Sequence, residues 1–387
     1  MRDPVDELQI LESAGLRRRL RRLESPQGIT INLAGHGTCL NFSSNDYLGL
    51  ADNEELKIAY LEHIGRYGGG SGASRLVCGT MAPHEDLEQR LAELKGTEAA
   101  LTFTSGFAAA IGTLPALCGK NDFIILDKLC HASLIDGARL SGATLRIFPH
   151  NDLNRLESHL RWAAERVQRD GRILVVTESV FSMDGDLAPL AEICDLKETV
   201  DALLLVDEAH AFGVLGPAGR GLGAALGVDT RIDLQMGTFS KAIGLSGGYI
   251  CTTRPLVDLL VNKARSFIYS TAPGPALAAT VEETLDFVSG PRGDRLRARL
   301  QTNREALSPG APSAIIPLIL GENDVTLAAS SHLQERGFLV PAIRYPTVPK
   351  GSARLRLTLS AAHTSAQIDL LKDALAGCGI PGYAPPL

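Results

Sequence analysis

Lys241 stands among small and hydroxylated residues in GTFSKAIGLSGG (237–248), and Asp207, His210, His131 and Ser182 each follow closely on an apolar run. A lysine in such a stretch either grips a phosphate or reacts. A free lysine, with a pKa of about 10.4, is protonated near neutrality and must be desolvated or set beside positive charge to act as a nucleophile. Thr238 and Ser240 flank it with hydroxyl donors suited to a phosphate. A flexible Gly/Ser loop with a surface lysine explains the segment less well, because the apolar run DLQMG feeds directly into it.

Two chemistries compete for these groups. DEAH (207–210) at the end of an apolar run has the look of the Mg²⁺-holding strand of a nucleotide hydrolase. That chemistry needs a G-x-x-x-x-G-K-[ST] loop as its partner, and Lys120 in CGKND and Lys241 in FSKA both lack the pattern. Pyridoxal phosphate accounts for more residues. It requires a lysine for a Schiff base, a carboxylate for the pyridinium nitrogen, a flat group over the ring and donors for the phosphate. Lys241 and an anionic Asp207 supply the first two, and both sit at strand ends from which they can converge on one cleft. Ser105, Gly106 and Phe107 open a helix whose N-terminal amides attract anions and form a second candidate phosphate site. Each histidine taken alone is better read as an ordinary hydrogen-bonded side chain; the position after a strand is what raises His131 and His210.

The elements that must carry these groups are legible as apolar runs: AALTFTS (99–105), DFIILD (122–127), ATLRIF (143–148), RILVVTE (172–178), ALLLVDE (202–208), DLQMGTF (233–239) and GGYICTT (247–253). Their unbroken hydrophobicity predicts strands buried on both faces. Helical patterns lie between several of them, which predicts an α/β fold with a mostly parallel central sheet whose ligands collect at the carboxyl ends of the strands. SGPRGD (289–294) is the expected boundary to a smaller α+β domain over 290–387, after a helical arm over 1–50 and a large domain over 51–289. The arginines of AGLRRRLRRLES, residues 17, 18, 19, 21 and 22, are expected on the solvated face of an amphipathic N-terminal helix.

The chain of 387 residues has a formal net charge of −6, which gives no general attraction to nucleic acid or an acidic membrane. Seven cysteines are scattered without a C-x-x-C pair or a histidine cluster and predict buried thiols in a reducing compartment, with no metal site. No apolar run approaches the roughly 20 residues of a membrane helix, and MRDPVDELQI is too acidic for a signal peptide, so a cytoplasmic protein is expected.

Eight segments together resemble the α-oxoamine synthases, fold-type I pyridoxal-phosphate enzymes: SNDYLGL (44–50), GSGASRLVCGT (70–80), HEDLEQRLA (84–92), TSGFAA (104–109), HASLIDGARLS (131–141), VFSMDGDLAPL (180–190), VDEAHAFGVLGPAGRG (206–221) and GTFSKAIGLSGGY (237–249). The resemblance implies that Lys241 carries the cofactor, Asp207 pairs with the ring nitrogen and His131 stacks on the ring beside the substrate. It also implies that His210 and Ser182 bond the ring side, while Thr238, Gly106 and Phe107 lie near the phosphate or ring edge. Members are homodimers with the active site at the subunit interface, so Thr271 in IYSTAP is expected to reach the partner subunit's phosphate. The implied reaction joins a small amino acid to an acyl thioester with loss of CO2. Lys241 is then also the base at the α-carbon.

Branches of that family include 5-aminolevulinate synthase, 2-amino-3-ketobutyrate CoA ligase and serine palmitoyltransferase (SPT). PAIRYPTVPKGSARLRLTLSAAHT (341–364) looks most like the branch that joins L-alanine to a pimeloyl thioester, on CoA or a carrier protein, in biotin biosynthesis; Tyr345 departs from its usual proline. By matching position Arg344 is expected to hold a substrate carboxylate, with Thr347 in the same pocket and Asn45 near the amino acid. Arg18, in the family's G-[LV]-x-R pattern, is expected near the acyl group.

Overall fold

The structure, a computed structural model, describes residues 3–378. Contacts group the chain into two compact units, one of Asn53–Ser182 and Asp186–Ala298, the other of Met1–Asp52, Met183–Gly185 and Arg299–Leu387.

The first unit is built on a seven-stranded sheet. Its order is Ala99–Phe103, Gly248–Thr252, Leu234–Thr238, Leu203–Asp207, Ile173–Glu178, Phe123–Asp127 and Thr144–Phe148. The last five are mutually parallel, and Gly248–Thr252 runs antiparallel to both of its neighbours. Every one of the seven apolar runs forms a strand within a residue or two of its expected place. Side chains of the inner strands are buried along their length because helices cover both faces, as a parallel sheet requires. ATLRIF differs: Thr144–Phe148 is the sheet edge, with Thr144, Arg146 and Ile147 exposed.

Caps set where the helices begin. Ser105 accepts the amide of Ala108 at 3.0 Å and starts Gly106–Leu117, a helix rich in Ala and Leu and buried over most of its surface. His131 caps Ala132–Ser141, and Asp152 caps Leu153–Ala164.

The second unit contains the helix Pro4–Ser13 and two three-stranded sheets. Thr30–Leu33 pairs antiparallel with Gly37–Asn41, which pairs parallel with Phe338–Leu339. Ile315–Gly321 and Ala342–Ile343 flank Ala353–Thr358, both antiparallel. The N-terminal segment is therefore not all helical. Nor is the arginine run on a helix: the helix stops at Ser13, Gly15 turns the chain at φ +64°, and Arg17 to Arg22 follow in an irregular, exposed stretch. SGPRGD is not a loop either, since Pro291 opens a helix that continues to Leu307 and the division between units falls within it. Five cysteines are buried, while Cys78 is exposed and Cys378 partly so.

Candidate active site

Strand register assembles the site. Glu178 pairs with Asp207 and Asp207 with Met236 across three parallel strands, so their side chains leave the sheet on one face. Thr238, two residues beyond Met236, shares that face. All four line a cavity of about 210 Å³ at the strand ends.

Ser105, Gly106, Phe107, His131, His210, Ser240 and Lys241 line the same cavity. The structure thus brings together nine of the residues singled out in the sequence. Ser182 and Thr271 belong to the same unit but are not among the lining residues, and Thr271 is exposed beside Ser74, with which it forms an isolated bridge. Arg18, Asn45, Arg344 and Thr347 belong to the other unit.

Lys241 Nζ lies 2.9 Å from His210 Nε2. With Nζ as an ammonium, which only donates, Nε2 is the acceptor of this pair. His210 is buried, and Asp207, also buried, accepts the amide of Ala209 at 2.9 Å. Burial raises the Asp207 carboxyl above the usual carboxylate range, while the charge of Lys241 and the Ala209 amide pull it back. For His131, burial lowers the imidazole pKa, against the pull of Asp207, which leaves a neutral flat ring. The His131 backbone amide donates to Glu178 Oε1 at 2.5 Å.

The turn that carries Lys241 is closed on itself. Phe239 N donates to Gly247 O at 3.1 Å and Leu245 N to Phe239 O at 2.9 Å. The Thr238 hydroxyl has Gly247 O at 2.7 Å and Ser240 Oγ at 2.8 Å, so a phosphate would compete with a carbonyl for its one proton. Two glycines after Lys241 take backbone angles that side chains disfavour, Gly244 at φ +73° and Gly247 at φ +124°. A Cβ at Gly248 would lie 2.5 Å from the Ser105 carbonyl and the Gly106 nitrogen, so its absence lets the Gly106–Leu117 helix bring its N-terminus to the cavity.

These residues fit pyridoxal phosphate: an amine, a buried carboxylate, a neutral imidazole plate and a helix N-terminus open on one cavity. Glu178 and Ser133 were not singled out in the sequence. Glu178 was legible only as the last residue of an apolar strand; its place beside Asp207 needs the register.

In the other unit, Arg18 Nη2 is 3.1 Å from Thr347 Oγ1, and Arg344 Nη2 donates to Arg17 O at 3.1 Å, so the three candidates for substrate contact are neighbours. Arg356, buried on the Ala353–Thr358 strand, donates to Asn45 Oδ1 at 3.1 Å and to Thr358 Oγ1 at 3.0 Å. Its signal was the second arginine of RLRLTLS, and the first, Arg354, is 2.5 Å from Asp184.

The chain matches the family model described as aminotransferase class I and II over residues 37–375. An 8-amino-7-oxononanoate synthase of Geobacter sulfurreducens is 47% identical over 388 residues, 98% of either chain. A high-resolution structure of SPT with PLP superposes with a TM-score of 0.89 at 29% identity, covering 97% of each chain. The crystal structure of 8-amino-7-oxononanoate synthase from Francisella tularensis superposes with a TM-score of 0.73 at 30% identity, covering 87% of this chain and 96% of that one.

Proposed function

We propose, on the premise that the chain belongs to the aminotransferase class I and II family and within it to the 8-amino-7-oxononanoate synthases, that it joins L-alanine to a pimeloyl thioester with release of CO2. The fold is that of the fold-type I pyridoxal-phosphate transferases, and pyridoxal phosphate is the cofactor. The observation that carries the chemistry is the meeting of Lys241, His210, Asp207 and His131 in one cavity.

Bound there, pyridoxal phosphate supplies an electron sink for a carbanion at the amino acid's α-carbon. Asp207 would hold the proton on the ring nitrogen, and the neutral His131 imidazole would supply the flat group over the ring. The amides of Gly106 and Phe107, with Ser240, would hold the phosphate, and Thr238 would join them by giving up its bond to Gly247 O. Lys241 Nζ would carry the covalent attachment until the amine of alanine displaces it, and the freed lysine amine would then take the α-proton and return one after CO2 has left. His210 Nε2, an acceptor 2.9 Å away, keeps Nζ aimed and takes up its positive charge through a hydrogen bond.

Arg344 binds a substrate carboxylate, with Thr347 and Arg18 beside it: Arg18 meets the Thr347 hydroxyl and Arg344 the Arg17 carbonyl, so both guanidinium groups lie where these two short stretches of chain meet, which suits an anion. The enzyme works as a homodimer in which Thr271 serves the partner's site. Support comes from the exposure of Leu76, Val77, Phe107 and Tyr269, large apolar side chains of the same unit left open to solvent. Among the described residues no helix is long and apolar enough to cross a membrane. A cytoplasmic site of action is part of the proposal, supported by the scattered cysteines without a C-x-x-C pair.

The test compares alanine, glycine and serine against pimeloyl-, acetyl-, succinyl- and palmitoyl-CoA, following CO2 and thiol release. Alanine with the pimeloyl thioester is expected to be fastest. A faster rate with any other pair would replace the substrate assignment and leave the chemistry in place.

A further inference from the structure

His150 is not among the residues lining the cavity; it follows the strand Thr144–Phe148 and faces Asp127 at the end of the strand Phe123–Asp127. Its Nδ1 lies 3.1 Å from Asp127 Oδ1 and its Nε2 lies 2.7 Å from Asp186 Oδ2. An imidazole with a carboxylate at each nitrogen donates from both and carries a positive charge. The edge of one ring meets the face of the other between His150 and Phe181, with centroids 4.3 Å apart at 84°.

Each carboxylate leads to a different candidate cofactor contact. Asp127 ends a central strand and is fully buried; it also accepts the amide of Leu129 at 2.8 Å and that of Asn151 at 2.9 Å. That shapes the short turn delivering His131. Asp186 lies in a hairpin over 180–187, closed by the Phe181 amide on Asp186 O at 3.1 Å and by the bridge of Val180 with Leu187. Asn151 Nδ2 donates to Leu187 O at 3.2 Å, adding a second tie to the same hairpin. Ser182 is the residue after Phe181.

We propose that His150 is a positioning residue, a fixed imidazolium whose two ion pairs clamp together the turn that presents His131 and the hairpin that presents Ser182. The proposal rests on the functional reading above for what those two side chains do. Asp127, from the adjoining strand, and Asp186, from the hairpin, are the charged groups facing the ring. Burial opposes the charge on His150, but the hydrogen bonds and charges of these two carboxylates outweigh it and raise the imidazole to about 10. The clamp therefore stays closed throughout the neutral range.

Nitrogen-detected NMR of the labelled holoenzyme tests the charge, with the His150 signals assigned by their loss in His150→Gln. Both ring nitrogens are expected to stay protonated from pH 6 to 9; a neutral ring at pH 8 overturns the proposal. Pyridoxal phosphate binding tests the consequence. His150→Gln is expected to raise its Kd about ten-fold and, at saturation, to lower the visible circular dichroism of the bound cofactor to under half. The far-UV spectrum should be unchanged, which separates mispositioning from a loss of fold. Equal Kd and equal visible dichroism overturn the proposal. Should His150→Gln fail to fold, Asp186→Asn replaces it, with about a three-fold rise in Kd and a visible dichroism loss in the same direction expected, and no change in either overturning the clamp. Wild-type protein that did not bind pyridoxal phosphate would instead sink the functional proposal, and the same NMR measurement on the cofactor-free protein would then decide the charge, a neutral ring at pH 8 again overturning the clamp.

Discussion

Glu178 and Asp207 are register partners on adjacent parallel strands, and both carboxyl groups line one cavity. Two neighbouring carboxyls removed from water do not both ionise readily. Burial pushes both up; the charge of Asp207 pushes Glu178 further, while Lys241 opposes the rise at each. Each also accepts one backbone amide, Asp207 from Ala209 and Glu178 from His131, but burial beside the Asp207 charge still pushes Glu178 up to about 8, so Glu178 is the carboxyl that keeps its proton near neutrality.

Asp207→Asn is accordingly expected to lower kcat by about 10³-fold, and Glu178→Gln by less than about ten-fold. The Glu178 carboxyl also leaves a stability signature. Its folded pKa lies above the ordinary value, so its contribution is full below about pH 4.5 and is lost as pH rises toward the raised value. Melting of the cofactor-free protein should fall from pH 5 to 8, and fall less in Glu178→Gln. Equal kinetic losses in the two variants would contradict the division of roles.

Lys241→Ala should abolish borohydride-stable attachment of the cofactor and lower turnover by about 10³-fold or more. Mass spectrometry of the reduced protein reads the first, and steady-state rates the second. A cofactor still fixed in the variant would assign the covalent role to another amine.

Gly248→Ala places a methyl against the Ser105–Gly106 backbone and must move the helix N-terminus. Folding stability should drop by about 1–3 kcal/mol. Affinity for pyridoxal phosphate should fall more than affinity for pyridoxal, which lacks the phosphate. Parallel losses for the two ligands would place the damage elsewhere in the site.

Arg344→Ala is expected to raise the KM of the carboxylate-bearing substrate it serves at least ten-fold, about 1.4 kcal/mol of binding. Steady-state constants equal to wild type for both substrates would remove that role.

His363 supplies an acid-stability test. It is buried, stacks on Phe42 at 4.1 Å, accepts the Ser360 amide at 3.0 Å and lies 3.1 Å from Asn41 O. Burial lowers it to about 4, against the pull of those backbone partners. A folded pKa below the unfolded one contributes stability above about pH 6.5 that is lost as pH falls through 4, here about 3 kcal/mol. Urea midpoints between pH 7 and 4 should fall less steeply in His363→Gln.

What could be read in the chain depended on the range of the interaction. Runs such as FIILD and ILVVTE stood out because burial on both faces leaves no polar alternation, and Lys241, Asp207 and His131 followed from their places just beyond such runs. Glu178 did not, because a glutamate ending a strand acquires its meaning from register with Asp207. The arginine run was misplaced onto a helix because the apolar stripe continues past Ser13, while Ala14 and Gly15 turn the backbone away. SGPRGD has turn composition, yet Pro291 suits the first turn of a helix. The contact of Arg356 with Asn45 joins positions 311 residues apart, which spacing cannot show.

The sheet order also governs when the protein can become competent. Among the described residues Ala99–Phe103 is an edge strand whose one partner in the sheet is Gly248–Thr252, made roughly 150 residues later. During synthesis that strand waits with its hydrogen-bonding edge exposed, and the Ser105–Gly106 backbone has nothing to seat against until Gly248 emerges. A nascent chain stopped before residue 252 would carry a sticky edge and an unfinished cavity, and its natural fate would be capture by a chaperone or aggregation.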